Sequence, residues 1–315
     1  MNELRIVFMG TPDFATGILA SILEQNYNVV GVITAPDKPS GRGQKLSASS
    51  VKQFALEKGL KVLQPTNLKD EKFLEELKSL NANLQVVVAF RMLPKQVWEM
   101  PELGTFNLHA SLLPDYRGAA PINWAIINGE KETGVTTFFI DEKIDTGAMI
   151  LADRVEIGEN ETAGDLHDKL MNLGKTTVIN TLRLIEKGEI KTTVQPHSEN
   201  LKTAYKLNKE NTKIDWTASM DHIYNLIRGL SPYPCAWTII EDKQEQWNVK
   251  IYQAKKEIAS HDYLIGTLLS TKKEIKIAVR EGFVHLTSIQ FPGKKRMTAQ
   301  EFLNGFEFSS NAKVL

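Results

Sequence analysis

The first 34 residues leave little choice of architecture. Residues 4–9 form a short run, apolar except for Arg5, suited to a strand buried on both faces, and Gly10-Thr11-Pro12-Asp13 ends it with a turn. Phe14, Ile18, Leu19, Ile22 and Leu23 then follow helical spacing, and residues 28–34 return to a strand. Thr11 is placed to cap the helix and Pro12 to occupy its first position. Strand, helix and strand in so short a span make a βαβ unit, which closes right-handed and needs helices on both faces of its sheet. The turn lacks the three glycines that let a pyrophosphate approach the backbone, so a dinucleotide-dependent oxidoreductase is disfavoured.

The alternation continues down the chain. Further strands are expected at 60–63, 84–89, 105–109 and 136–140, with helices over 50–58, 70–80, 120–128 and from residue 163 toward 186. This predicts an α/β, Rossmann-like domain on an open, mostly parallel sheet over residues 1–190. Residues 191–206 are polar and read as a linker. Beyond one amphipathic helix at 218–228, short strand-like runs at 236–240, 247–253, 264–270, 275–279 and 284–291 predict a small OB-like β-barrel over residues 207–315. A chain of 315 residues fits two such domains.

Composition narrows the setting. No apolar run approaches the ~20 residues needed to span a bilayer, and the N-terminus lacks the apolar core of a signal peptide, so a cytoplasmic protein is expected, with no membrane partner. Cys235 is the single cysteine, which rules out an intrachain disulfide and any multi-cysteine zinc site; a packed, inert thiol is expected. The histidines show no metal-ligand spacing, and no metal is expected. Net charge is zero, with only a small basic excess beyond residue 207. A monomer is expected.

The chemistry concentrates in Asn107-Leu108-His109-Ala110-Ser111-Leu112-Leu113-Pro114 and the following Asp115-Tyr116-Arg117-Gly118-Ala119-Ala120-Pro121. Alternate side chains of a strand share a face, so Asn107 and His109 point the same way. They pair a neutral hydrogen-bond donor with the side chain that titrates nearest neutrality, which suits a proton transfer while a carbonyl oxygen gains charge. Asp145, in Asp141-Glu142-Lys143-Ile144-Asp145-Thr146-Gly147, follows a predicted strand and is expected beside His109, since ligands bind at strand ends in open α/β sheets. Asp145-Thr146-Gly147 is also the aspartic-protease tripeptide, but that fold is all-β and needs a second such aspartate.

These motifs resemble the folate-dependent formyltransferases, and within them the family acting on methionyl-tRNA. Gly10 to Ala15, Ala89 to Pro94, Ser111 to Pro121, Glu132 to Thr136, and the junction from Tyr205 to Glu210 with Ile214-Asp215-Trp216 all match, covering nearly the whole chain. The resemblance implies Asn107, His109 and Asp145 as the catalytic set. It implies 10-formyltetrahydrofolate as formyl donor, held near Phe90, Arg91, Leu93 and Ser111, Leu112, Leu113, Pro114. Arg91 departs from the glycine of this subfamily; glycinamide-ribonucleotide formyltransferases carry a similar arginine. The loop from Pro36 to Lys45 resembles the insertion that enters the acceptor end of initiator tRNA, with Arg42 at the discriminating position and Lys38 and Lys45 beside it. Lys206 in the junction and the triplet Lys294-Lys295-Arg296 offer further tRNA contacts. Trp216 is expected to pack in the core.

The function implied is formyl transfer from 10-formyltetrahydrofolate to the α-amino group of initiator methionyl-tRNA, for translation initiation. Three alternatives stay open at this point. One is a formyltransferase for an amino-sugar nucleotide or glycinamide ribonucleotide, another a 10-formyltetrahydrofolate hydrolase, and the third a non-catalytic RNA-binding protein.

Overall fold

The computed structural model describes residues 3–40, 45–196 and 200–315. Contacts divide the chain into two compact units. The first runs to Gly118 and adds Thr133–Val155 and His167–Thr203; the second combines Ala119–Glu132, Glu156–Leu166 and Ala204–Leu315.

The first unit is built on a seven-stranded sheet. Its strands lie in the order Met149–Glu156, Glu132–Phe139, Thr105–His109, Leu84–Val88, Arg5–Gly10, Asn28–Ile33, Val62–Leu63. The last five run parallel. Glu132–Phe139 runs antiparallel to Thr105–His109. Strand order reverses between Arg5–Gly10 and Leu84–Val88, the place where an open α/β sheet leaves a crevice beyond its carboxyl ends. Met149–Glu156 is a strand that the sequence pattern does not announce. It is an edge strand on which only Ile150 is buried, so it carries no apolar run to read.

Local signals account for the helix starts. Ser49 and Asp70 accept from the backbone N–H of Lys52 and Phe73, capping Ser50–Glu57 and Glu71–Ser79. Thr11 does not cap, contrary to expectation. The Asp13–Glu24 helix begins one residue later, with Pro12 itself at the cap position. Its extended backbone presents the Pro12 carbonyl to the N–H groups of Ala15 and Thr16, at 2.9 and 3.2 Å. Gly10 has a packing reason for being glycine: a Cβ there would lie 2.5 Å from the Ala15 Cβ and 3.0 Å from the Val88 carbonyl oxygen. Val7, Met9, Ile33, Phe73, Leu77, Val87 and Leu93 form the core on one face of this sheet.

The second unit is a small antiparallel barrel. Its strands follow the order Leu268–Ser270, Ile275–Val279, Gly282–Gln290, Glu245–Ile258, Ala236–Asp242, Lys313–Val314. An antiparallel bridge between Thr267 and Lys313 joins first to last and closes the barrel. Glu245–Ile258 extends well beyond its expected end at residue 253, bending through register shifts between Ile251 and Ala254. Met220–Gly229, capped by Ser219, buries Met220, Ile223, Leu226 and Ile227 in the barrel core. Trp216 lies in that core as expected, its indole N–H donating to Thr238 Oγ1 at 2.9 Å. Cys235 is a buried free thiol, and burial pushes its pKa up. Among the described residues no helix is long and apolar enough to cross a membrane.

Gly10→Val should force the strand-to-helix turn apart. We expect a loss of about 1–3 kcal/mol, the usual effect of overpacking, seen as a lower urea midpoint at unchanged slope.

Candidate active site

Asn107 and His109 share one face of Thr105–His109, in register with Val87 on one side and with Phe138 and Thr136 on the other. The Asn107 side-chain oxygen is buried and has no hydrogen-bond partner among the described residues. A buried polar atom left unpaired is unfavourable, and such atoms mark places where a ligand completes the bonding. Rotation of the carboxamide exchanges NH2 for oxygen at that spot, so Asn107 can offer either a donor or an acceptor there.

His109 is 6% exposed. Its Nε2 lies 2.8 Å from the Tyr116 carbonyl, and because a carbonyl only accepts, Nε2 is the donor. That leaves Nδ1 facing Asp145, whose Oδ2 is 3.7 Å away. The same Oδ2 accepts from the Gly118 N–H at 2.9 Å. The expected neighbourhood of His109 and Asp145 is therefore real, but the route to it differs from the strand-end argument. Because Glu132–Phe139 runs antiparallel, its end at Phe139 lies beside Phe106, not beside His109. The loop after that strand carries Asp145 to the imidazole.

The Ser111–Pro114 turn is pinned by one hydroxyl. Thr136 Oγ1 donates to the Ser111 carbonyl at 2.7 Å and accepts from the Leu113 N–H at 3.2 Å. Ser111 Oγ donates to the Asp115 carbonyl at 2.7 Å, and the Leu113–Pro114 peptide is cis. Ser111 and Leu113 are buried, while Leu112 and Pro114 are half-buried. Leu93 is buried and Phe90 partly buried in the sheet core. Arg91 is exposed, with its guanidinium 5.7 Å over the Phe90 ring and donating to the Pro65 and Thr66 carbonyls.

The basic residues are distributed differently. Lys38–Ser40 pairs antiparallel with Lys45–Ser47, and Lys38 is exposed. At the base of this ribbon Asp37 takes Lys52 Nζ at 2.6 Å, a bond that holds its carboxyl below the usual range. Arg42 lies outside the described residues, as does the side chain of Lys45. Lys206, Lys294 and Lys295 are exposed on the second unit. Arg296 is engaged, donating to Ser288 Oγ at 2.9 Å and lying 4.4 Å over the Tyr252 ring.

Two features escape the sequence pattern. One is a row across the barrel, in which Lys213 bridges to Trp237, Trp237 faces Lys250 and Lys250 faces Gln290. The ammonium groups of Lys209 and Lys213 stand 5.3 and 5.8 Å over the Trp237 ring. The other is Gln195, a buried residue in the stretch that reads as linker, which donates to the Asp145 and Gly147 carbonyls.

A carboxamide, an imidazole and a carboxylate, groups of the kind direct acyl transfer uses, are thus carried on an α/β domain that precedes a barrel. The Formyl transferase family matches residues 4–182 and the Formyl transferase C-terminal domain matches residues 206–307; the chain belongs to this formyl transferase family. It is 67% identical over 314 residues to the methionyl-tRNA formyltransferase of Flavobacterium johnsoniae, covering 100% of both chains. It is 51% identical over 318 residues to that of Bacteroides thetaiotaomicron, covering 99% of each. Its fold is also that of WlaRD, a sugar 3N-formyl transferase crystallised with dTDP and 5-N-formyl-THF. There the TM-score is 0.64 at 23% identity, over 94% of this chain and 100% of that one.

Thr136→Val should free the Ser111 carbonyl and the Leu113 N–H together. We expect about 1–3 kcal/mol of destabilisation, measured by chemical denaturation, and a raised KM for the formyl donor in steady-state assays.

Proposed function

We propose that this enzyme transfers the formyl group of 10-formyltetrahydrofolate to the α-amino group of initiator methionyl-tRNA. Full-length likeness to methionyl-tRNA formyltransferases supports the acceptor, and the unpaired, buried Asn107 oxygen beside His109 and Asp145 supports the chemistry.

In this reading the folate is a substrate, and the protein supplies positioning and electrostatics. The neutral amine attacks the formyl carbon, the carbonyl electron pair moves onto oxygen, and a tetrahedral species forms. Asn107, through its NH2, and a protonated His109, through Nδ1–H, donate to that oxygen, the largest usual source of acceleration in acyl transfer. Asp145 orients the imidazole and relays the amine proton toward N10 of the folate. The C–N10 bond then breaks as the oxygen pair returns, and the proton ends on N10. Phe90, Leu93 and the Ser111–Pro114 turn flank the donor, and Arg91, tied to Pro65 and Thr66, borders it from outside.

The acceptor reading assigns Lys38, Arg42 and Lys45 to the acceptor end of the tRNA, with Arg42 discriminating the initiator. On the second unit Lys206, Lys294, Lys295 and Arg296 join the Lys213–Trp237–Lys250 row as phosphate contacts, which position without reading bases. A cytoplasmic monomer completes this picture.

The test is a mixture of protein, 10-formyltetrahydrofolate and methionyl-initiator-tRNA, with N-formylmethionine read by mass spectrometry. Folate release without formylated tRNA would indicate water or another amine as acceptor. His109→Ala and Asp145→Ala should each lower kcat roughly 10²–10⁴-fold, the range for lost acid–base catalysis, with unfolding midpoints near wild type. Lys213→Ala with Lys250→Ala should raise KM for all tRNAs alike and reduce the slope of log KM against log salt by about 1–2. A salt-insensitive KM in the parent enzyme would argue for a small-molecule amine.

A further inference from the structure

Asp145 occupies the left-handed backbone region, with φ +54°, a conformation uncommon for side-chain-bearing residues that aspartate tolerates better than most. Inside its own loop the bonds go elsewhere: Asp141 Oδ1 accepts from Lys143 N at 3.0 Å and from Thr146 Oγ1 at 2.7 Å. Two residues on, Gly147 is pressed against the preceding strand, where a Cβ would lie 1.7 Å from the Phe139 carbonyl oxygen. The Asp145 carbonyl itself is held from 50 residues away. Gln195 Nε2 spends its two hydrogens on the carbonyls of Asp145 and Gly147, at 2.9 and 2.8 Å.

The opposite end of this carboxamide is just as constrained. Gln195 Oε1 accepts from Arg117 Nε at 3.1 Å and Nη2 at 2.6 Å. A guanidinium only donates and the two carbonyls only accept, so the amide has a single orientation that satisfies all four bonds. Gln195 reaches the loop because Thr193 pairs antiparallel with Met149, through two N–H to O bonds of 2.8 Å. That pairing turns Val194 outward, 80% exposed, and Gln195 inward, 4% exposed. Arg117 also precedes Gly118, whose N–H holds the Asp145 carboxylate. The dipeptide thus grips Asp145 at both ends, its carboxylate directly and its main chain through Gln195.

We infer that Gln195, oriented by Arg117, is a positioning residue for Asp145, fixing the loop main chain so that the carboxylate stays on Gly118 and toward His109 Nδ1. The inference rests on the reading of His109 and Asp145 as the reacting pair.

Gln195→Glu in the full-length enzyme tests it. The change is nearly isosteric and keeps an acceptor for Arg117, but it replaces the two donated hydrogens by an oxygen facing two carbonyls. We expect kcat to fall by one to two orders of magnitude, the effect of roughly 1 Å of misplacement. KM for both substrates should stay within about two-fold and the fold should stay intact by circular dichroism. Gln195→Met, which removes the bonds without adding charge, should do the same, and Arg117→Lys, which keeps one donor, should lose several-fold. The deciding measurement is a double-mutant cycle: in an Asp145→Asn background, Gln195→Glu should cause no further loss. An equal loss in that background, or unchanged kcat in all three single variants, overturns the inference alone. Full turnover in Asp145→Asn by itself overturns the underlying reading and the inference with it.

Discussion

The bond from the Gly118 N–H to the Asp145 carboxylate ties together the parts of the site that come from distant sequence. It belongs to a return of the chain, from Tyr116 to Gly118, whose backbone groups hold both the imidazole and the carboxylate. The Tyr116 carbonyl accepts from His109, the Tyr116 N–H donates to the Lys202 carbonyl at 2.6 Å, and Gly118 takes Asp145. Tyr116 adopts φ +60°, which lets adjacent peptide groups serve partners on opposite sides. Main-chain groups carry no rotamer freedom of their own, so an imidazole and a carboxylate held this way need little further ordering when a substrate arrives.

Sheet topology then decides what can sit beside that pair. The reversal of strand order between Arg5–Gly10 and Leu84–Val88 opens the crevice, and Phe90 and Leu93 follow directly from the second of these strands. The Ser111–Pro114 turn leaves the next strand at the same edge, with Thr136 of the antiparallel neighbour bonded across it. One threonine hydroxyl thereby couples the turn assigned to the folate with the strand from which the Asp145 loop departs. A reaction needing donor and proton relay in fixed relation gains from sharing that single strut.

What the sequence discloses is what has a short period or a local partner. Asn107 and His109 are two apart on a strand, Ser49 and Asp70 cap helices three residues ahead, and Ile6 to Met9 is a plain apolar run, so all were legible. Met149–Glu156 was not, because a half-exposed edge strand shows neither an apolar run nor strict alternation. Thr11 misled because the helix starts at Asp13, which puts Pro12 at the cap position and leaves the threonine hydroxyl one residue too early. The Trp237 row depends on strand register, and Gln195 on a contact 50 residues long; neither leaves a mark in its own neighbourhood.

The barrel unit is completed by segments from well before residue 207. Ile127, from the Pro121–Ile127 helix, lies in the barrel core beside Ile223 and Leu226, and Asn123 Nδ2 donates to the Gly229 carbonyl at 2.7 Å. Arg228 is 6% exposed, and its guanidinium is satisfied by the Glu161 carbonyl at 2.9 Å and Asn225 Oδ1 at 2.8 Å. Burial already lowers its pKa; stripped of the Glu161 carbonyl it would be a poorly paired charge in a closed interior, a strongly unfavourable state. A fragment beginning at residue 207 therefore lacks part of its own core and two partners of its buried cation, the Gly158 and Glu161 carbonyls. Loss of tRNA binding on cutting there would mix a missing surface with a damaged fold. Single changes at exposed lysines separate the two, because they alter the field a phosphate meets and leave Ile127, Asn123 and Arg228 where they are.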